Sequence, residues 1–340
     1  MKKHLKMDEV AKLAGVSKTT ISRFLNGKYE YMSAATREHI QKVIDEIGYR
    51  PNRVARNLRS QHSHMLGCII ADITNPVSSI LVKGINDVCT KRNYAVYFFN
   101  TNNEIDLEMQ YAHTLIDLQV DGLLINTSDY ENTYLHRLAA PNFPIVLAER
   151  SLSNNGNMDC VISESIHSTF NCIQHLYEQG FTDVGFFCSG NIHLVSSRII
   201  RYRCYKEAMR EYFSPASALD VYVVSDNIEQ SKAAIIRYFN CAVGQKKAIF
   251  CANGVALLNT LNALFDMQVE IGKYLGICSF DDWGWPAMVG PGITTIKQDS
   301  YLVGTRAAQI LIDRIEGVEK SAPLFLEVPS KLIIRGSTCF

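Results

Sequence analysis

GVSKTTISRFLNG, residues 15–27, lies near the start of a 340-residue chain, and its reading decides how the rest is understood. The stretch is short and polar. A helix over residues 18–25 turns Val16, Ile21 and Leu25 inward and leaves Lys18, Thr19, Ser22 and Arg23 outward. Ser17 is placed to cap its first turn. Upstream, MDEVAKLAG carries Met7, Val10, Leu13 and Ala14 at helical spacing, and Gly15 suits the positive-φ residue of a tight turn. Downstream, Ser33 can cap AATREHIQKVIDEI, whose Ile40, Val43, Ile44 and Ile47 form a buried stripe ended by Gly48. Two helices joined by a short turn and braced by a third make a helix-turn-helix unit. Such a unit lays its second helix in a DNA major groove, with the outward N-terminal residues at base edges. There Lys18 can donate to guanine, Thr19 can meet either base type or a thymine methyl, and Arg23 can donate to guanine or phosphate. The alternative is a solvated helix on an ordinary small bundle.

Charge favours the groove. Residues 1–60 hold 13 Lys+Arg against 6 Asp+Glu, while the remaining 280 hold 21 against 28, so a formal net charge of zero hides a basic head on an acidic body. A head of that kind points to a polyanion. The next segment, GYRPNRVARNLRSQ (48–61), repeats arginine every three residues at Arg50, Arg53, Arg56 and Arg59. Pro51 suits a first helical turn, and Val54, Ala55 and Leu58 form a small apolar face. A helix this short is marginal alone. It can fold once phosphates neutralise it and an identical copy packs against it, and Leu58 can then wedge between base steps in the minor groove. A basic, flexible linker is the other reading.

From His62 the pattern changes to short apolar runs alternating with amphipathic stretches. Strands are expected at 65–71, 94–99, 122–126, 144–148, 183–188, 221–224, 247–252 and 274–280. Helices are expected near 79–92, 106–119, 165–179, 198–212, 228–241 and 254–267. This alternation predicts parallel sheets covered on both faces, with ligands beyond the C-terminal strand ends. Two such units are visible, one from about 62 to 160 and one from Cys160 to near Gly290.

Composition is that of a chain with real cores: 47% hydrophobic and 20% charged. No apolar run reaches the ~18 residues of a membrane span, and MKKHLKMDEV lacks the apolar stretch of a signal peptide, so a cytoplasmic protein is expected. The ten cysteines are scattered without a CxxC pair and read as small buried hydrophobes in a reducing compartment. No metal ion and no cofactor are expected.

DEVAKLAGVSKTTISRFLNG followed by SAATREHIQKVIDEIGYRPNRVARNL closely resembles the headpiece and hinge of the lactose-repressor/galactose-repressor family of bacterial transcription regulators. DITNPVSS, SFDDW, GITTIKQ and LIIRGST extend the resemblance over nearly the whole chain. It implies a homodimer whose recognition helices enter successive major grooves of a palindromic operator, with paired hinge helices bending its centre. The fold implied is an all-α helix-turn-helix headpiece plus an α/β bilobed core like that of periplasmic sugar-binding proteins, built on two doubly wound parallel sheets. The headpiece spans 1–49, the hinge 50–61 and the effector-binding and dimerisation core 62–340. In that core the chain crosses back after Gly290, giving lobe one about 62–160 and 291–322, and lobe two about 161–290 and 323–340. By position, Lys18, Thr19 and Arg23 match base-reading sites and Leu58 the minor-groove leucine. DNA contacts are further expected from Ser17, Ser22, Asn26, Thr36 and Tyr49, and from Asn52, Arg53, Ala55 and Arg56 in the hinge.

Sugars are held by planar polar groups that chelate neighbouring hydroxyls and by aromatic faces. Asn126, Glu149 with Arg150, Asn253 and Asp281 with Asp282 follow strands, and Trp283 and Trp285 come immediately after. Each alone is equally readable as a loop cap or a surface charge. The resemblance implies effector contacts for Asn126, Glu149, Asn253, Asp281 and Arg201, and Trp283 is a candidate aromatic cover. Arg198 lies one turn before Arg201, and two guanidiniums suggest an anionic effector, although a plain basic helix face remains open. ITNPVSSILVKGIND, SSRIIR and SFDDWGW look most like the branch that senses keto-sugar acids such as ketodeoxygluconate or ketogluconate. The chain departs from the family where Gly254 stands for Asp, Cys204 for Gly and Ser279 for Gly.

Two rival functions are weaker. An enzyme would need a motif such as GxSxG, GxxxxGK[ST] or a strand-borne GxGxxG, and none is present. A sugar-binding transport component would have no use for the basic head.

Overall fold

The computed structural model describes residues 5–25, 27–49, 62–139, 143–213, 219–242 and 245–340. The chain divides into two units, Met1–Ser63 and His64–Phe340.

Among its described residues the first unit contains three helices, α1 (Met7–Leu13), α2 (Lys18–Leu25) and α3 (Ala34–Ile47). Gly15 turns the chain between α1 and α2 at φ +61°, a conformation that glycine adopts without Cβ strain. The Thr20 amide donates to Ser17 Oγ at 3.1 Å, and the Thr36 amide to Ser33 Oγ at 3.2 Å, so both expected caps form. Gly48, left-handed, ends α3. The core is Val10, Ala11, Ala14, Ile21, Phe24, Ile40 and Ile44. Val16 and Leu25, expected inside, are only half-buried at its margin. Phe24 takes the central place, because it sits one turn from Ile21 on the same helix face. Leu13, expected on the apolar face of α1, is exposed.

The second unit is built on two six-stranded sheets. The first is formed by β1 (Met65–Ile70), β2 (Ala95–Asn100), β3 (Leu123–Ile125), β4 (Ile145–Ala148), β5 (Asp159–Ser163) and β11 (Phe325–Val328), in the order β11-β5-β4-β3-β1-β2. All its pairings are parallel. The second is formed by β6 (Asp183–Ser189), β7 (Val221–Val224), β8 (Lys247–Cys251), β9 (Leu275–Phe280), β10 (Thr294–Lys297) and β12 (Lys331–Ile333), in the order β12-β10-β9-β8-β6-β7. Only β12 is antiparallel. Helices α4 (Pro76–Lys91), α5 (Ile105–Asp117), α6 (Tyr134–Leu138) and α11 (Ser300–Ile315) go with the first sheet. Helices α7 (Ile166–Glu178), α8 (Ser196–Tyr212), α9 (Ile228–Cys241) and α10 (Gly254–Asp266) go with the second. Strands buried on both sides explain the continuous apolar runs of the sequence.

The lobe limits read from sequence need correction. β5 crosses the expected boundary at 160/161 and lies wholly in the first sheet. β10, placed in lobe one as part of 291–322, belongs to the second sheet, and β11, placed in lobe two as part of 323–340, belongs to the first. Backbone pairing decides this: β11 runs parallel to β5 from Phe325 opposite Cys160 to Val328 opposite Ser163, whereas β10 pairs with β9. The chain therefore crosses between lobes three times, after Ser163, after Lys297 and after Val328.

Two features hold α11 in lobe one. Gly84 of α4 and Gly304 of α11 leave no room for a Cβ against the opposite backbone, so the helices meet closely. Arg314 grips buried Asp159 with two prongs, Nε to Oδ2 at 2.9 Å and Nη2 to Oδ1 at 2.7 Å.

Candidate effector cleft and nucleic-acid interface

On α2, Lys18, Thr19 and Arg23 are exposed, as is Ser17 at its start, while Ser22 is half-buried. Thr36 and Tyr49 are half-buried on and after α3. Lys18 Nζ rests 2.9 Å from Asp8 Oδ1 with both side chains more than half exposed (51% and 58%). Such a pair is worth under about 1 kcal/mol, so a base edge or phosphate can take the ammonium from it. The Arg23 guanidinium lies 5.5 Å from the Tyr31 ring centre, and Arg37 lies 4.1 Å from that of Tyr29. Cations laid on aromatic faces are pre-positioned yet unneutralised. Asn26, Asn52, Arg53, Ala55, Arg56 and Leu58 lie outside the described residues, as does the expected hinge helix.

In the second unit the strand ends converge on a cleft between the lobes. It encloses about 60 Å³ and is lined by seven of the eight expected effector residues: Asn126, Glu149, Arg150, Arg198, Arg201, Asn253 and Asp281. The two carboxylates occupy equivalent places. Glu149 follows β4 at φ +62° and Asp281 follows β9 at φ +72°. A left-handed backbone at a residue with a side chain costs on the order of 1 kcal/mol or more, and it persists where a site requires it. Glu149 accepts from Ser163 Oγ at 3.0 Å, and Asp281 accepts from the Gly254 amide at 2.8 Å. Burial raises the pKa of both above the usual carboxylate range, with the charge of Arg201 opposing.

Arg201 is buried. Nη1 donates to the Ala252 carbonyl at 2.7 Å, Nε to Ser165 Oγ at 3.4 Å, and the guanidinium lies 3.7 Å from the Phe280 ring centre. Arg150 Nη1 donates to Asn103 Oδ1 at 3.1 Å and to the Thr127 carbonyl at 2.9 Å, while Arg198 Nη1 donates to the Asn191 carbonyl at 3.2 Å. Burial lowers the pKa of all three, that of Arg150 to about 10. Among the described residues no carboxylate lies within ion-pair distance, 4.0 Å, of any of these guanidiniums.

Trp283 corrects the sequence reading. It does not line the cleft. Its ring lies on Gly254, where an added Cβ would come within 2.5 Å of it, and its centre is 6.4 Å from that of Trp285. The missing side chain at position 254 makes room for the indole, so Gly254 and Trp283 form one packing unit behind Asn253. Asn253 Oδ1 in turn accepts from the Ala256 amide at 2.8 Å and from Ser189 Oγ at 3.1 Å, which fixes its orientation. The sequence reading missed Asn75, Ser78 and Gln298, which also line the cleft. Their signals were present: Asn75 caps α4 just after β1, and Gln298 sits in a lobe crossover. Gln298 Oε1 is buried without a hydrogen-bond partner among the described residues, so it is a ready acceptor.

The raised carboxylates make a pH prediction. A carboxylate whose folded pKa exceeds its unfolded value lowers stability above the folded pKa, and the loss is recovered as pH falls toward the unfolded value, about 4.3 for Glu. Glu149→Gln removes that penalty. At pH 7 thermal unfolding of the ligand-free variant is expected above the parent chain, and the gap should close as pH falls toward the ordinary glutamate range. An unchanged or lower melting temperature at pH 7 contradicts burial as the dominant effect.

Comparison with known proteins agrees with this geometry. Residues 6–52 match the family described as bacterial regulatory proteins, lacI family, and residues 173–338 match a periplasmic binding protein-like domain. The HTH-type transcriptional regulator KdgR of Bacillus subtilis is 34% identical over 335 residues, 98% of each chain. This chain belongs to the lacI family. The HTH-type transcriptional regulator PtxS of Pseudomonas putida is 30% identical, covering 98% of this chain and 95% of PtxS. Among solved structures, the lac repressor dimer bound to operator and the anti-inducer ONPF superposes with TM-score 0.84 over 99% of each chain at 23% identity, a likeness of fold. This lacI-family chain is accordingly a transcriptional regulator with a helix-turn-helix head and a bilobed sensing body. Among the described residues no helix is long and apolar enough to cross a membrane.

Proposed function

We propose that this regulator is a cytoplasmic repressor that binds a palindromic operator as a homodimer and is controlled by a sugar acid, a keto-sugar acid above all, held between its lobes. The exposed Lys18, Thr19 and Arg23 read bases, and the arginine-rich segment 50–61 supplies phosphate contacts. The division at Ser63 supports a core (62–340) distinct from the DNA-binding part, within which the sequence distinguishes a head (1–49) and a hinge (50–61). In the body, the effector binds one lobe arrangement better than another and so biases the DNA-binding state.

One observation carries the acid reading. Three guanidiniums line one cleft and none is ion-paired with a carboxylate among the described residues. Arg201 is buried and Arg150 and Arg198 are half-buried, and the nearby carboxylates act on them without direct ion pairs, so an anionic ligand that pairs with these guanidiniums adds a favourable contact. Asn126, Asn253, Glu149 and Asp281 supply the planar groups that chelate hydroxyls.

The test is thermal unfolding of the full chain with aldonic acids, 2-keto-aldonic acids and the matching neutral sugars. A cognate acid at about 100 times its Kd adds about 2.7 kcal/mol, a rise of about 5–10 °C. Neutral sugars are expected to give little. Stabilisation by neutral sugars alone would refute the acid reading.

A further inference from the structure

Arg150 and Arg198 approach the cleft from opposite lobes. Arg150 follows β4 of the first sheet, and Arg198 lies in the first turn of α8 against the second. Both line the same cavity. Each is oriented by neutral acceptors only: Asn103 and Thr127 for Arg150, and Asn191 for Arg198. The two cleft carboxylates are engaged elsewhere, Glu149 with Ser163 and Asp281 with the Gly254 amide, and both act on the charge of Arg201. Glu108, Asp72 and Glu149 act on Arg150 without forming an ion pair, while Arg198 opposes both Arg150 and Arg201. The cleft therefore carries one guanidinium from each lobe beside a third, Arg201, that shares its field with Glu149 and Asp281. Carboxylates and amides gather around Arg201. Arg150 and Arg198 bring two like charges to the seam from opposite lobes.

Two direct bonds already span that seam, from the Tyr130 amide to the Leu194 carbonyl at 2.7 Å and from the Ser151 amide to Ser196 Oγ at 2.9 Å. Closure is therefore favoured by neutral hydrogen bonds and opposed by the facing guanidiniums. An anion between them reverses the sign of the opposing contribution.

We propose that the carboxylate of the effector is clamped between Arg150 and Arg198, one guanidinium from each lobe, so that the anion itself locks closure and this pair sets the preference for acids over neutral sugars. The proposal rests on the acid reading above and adds to it which end of the ligand bridges the lobes. Arg201 with its two carboxylates then holds the polyol end.

Isothermal titration of the full chain tests it, using a 2-keto-aldonic acid and the neutral ketose of the same chain length. Arg150→Gln and Arg198→Gln, each confirmed folded by its melting curve, are expected to weaken the acid about 30-fold and the ketose less than about threefold. Arg198→Glu places a carboxylate opposite Arg150. By small-angle scattering this variant should be as compact without ligand as the parent chain is with acid, and it should no longer bind the acid. If the parent chain binds no acid, the acid reading falls and the clamp with it. If the parent chain binds acid but the Gln variants lose acid and ketose alike, or neither, the clamp alone falls. An Arg198→Glu variant as open as the ligand-free parent chain also overturns it.

Discussion

Raising monovalent salt from about 50 to about 200 mM is expected to weaken operator binding about 10³–10⁵-fold, as for a protein that neutralises roughly six to ten phosphates. The physical basis is release of counterions condensed on the duplex, so the slope of log affinity against log salt counts phosphate contacts. Residues 1–60 carry 13 cations against 6 acids, and two copies on a palindrome double that supply. Much of the surplus comes from Arg50, Arg53, Arg56 and Arg59, so replacing these four by Gln should flatten the slope. Lys18 and Thr19 changes should act differently, reducing the preference for the selected sequence more than the slope. Fluorescence anisotropy on a duplex selected from a random pool measures both. A slope near zero for the parent chain would remove the polyanion argument.

The second large effect is Arg201→Met, expected to weaken effector binding more than 100-fold, from about 3–5 kcal/mol for losing one partner of a buried charged set. The methionine keeps much of the volume over Phe280 but none of the donors to Ala252 and Ser165. The loss should extend to acid and neutral ligands, because Arg201 lies among the groups that hold hydroxyls. That separates it from Arg198→Gln, whose loss is confined to acids. Titration calorimetry on the two variants reads the contrast, and an Arg201→Met protein that binds like the parent chain would exclude Arg201 from the site.

Much of this was legible in the sequence, for reasons visible in particular residues. Ser17 and Ser33 announced helix starts because a hydroxyl two or three residues before an apolar repeat satisfies an amide that has no partner inside the helix. The buried strands declare themselves as unbroken apolar runs, with Asn126, Glu149 and Asp281 directly after them and Asn253 one residue further on. What escaped was what depends on chain path. β11 is hidden because Phe325, Leu326 and Glu327 are exposed and it pairs at a sheet edge, so it shows no buried run. Its pairing with β5, about 165 residues earlier, is a long-range fact with no local signature, and it moved the lobe boundaries. Trp283 reads in the sequence as an aromatic cover for the cleft because it is a large ring just after a strand end. Only the packing of its ring on Gly254 shows that it backs the site instead of lining it.

The central claim is that one chain couples an acid-sensing cleft to a DNA-reading head. Its most direct test is the affinity of the full chain for its selected palindromic duplex, measured by anisotropy with and without a saturating cognate sugar acid at constant salt. The account predicts a change of at least about tenfold with the acid, absent with the neutral sugar and absent in Arg201→Met. Equal affinity with and without a bound acid would contradict it.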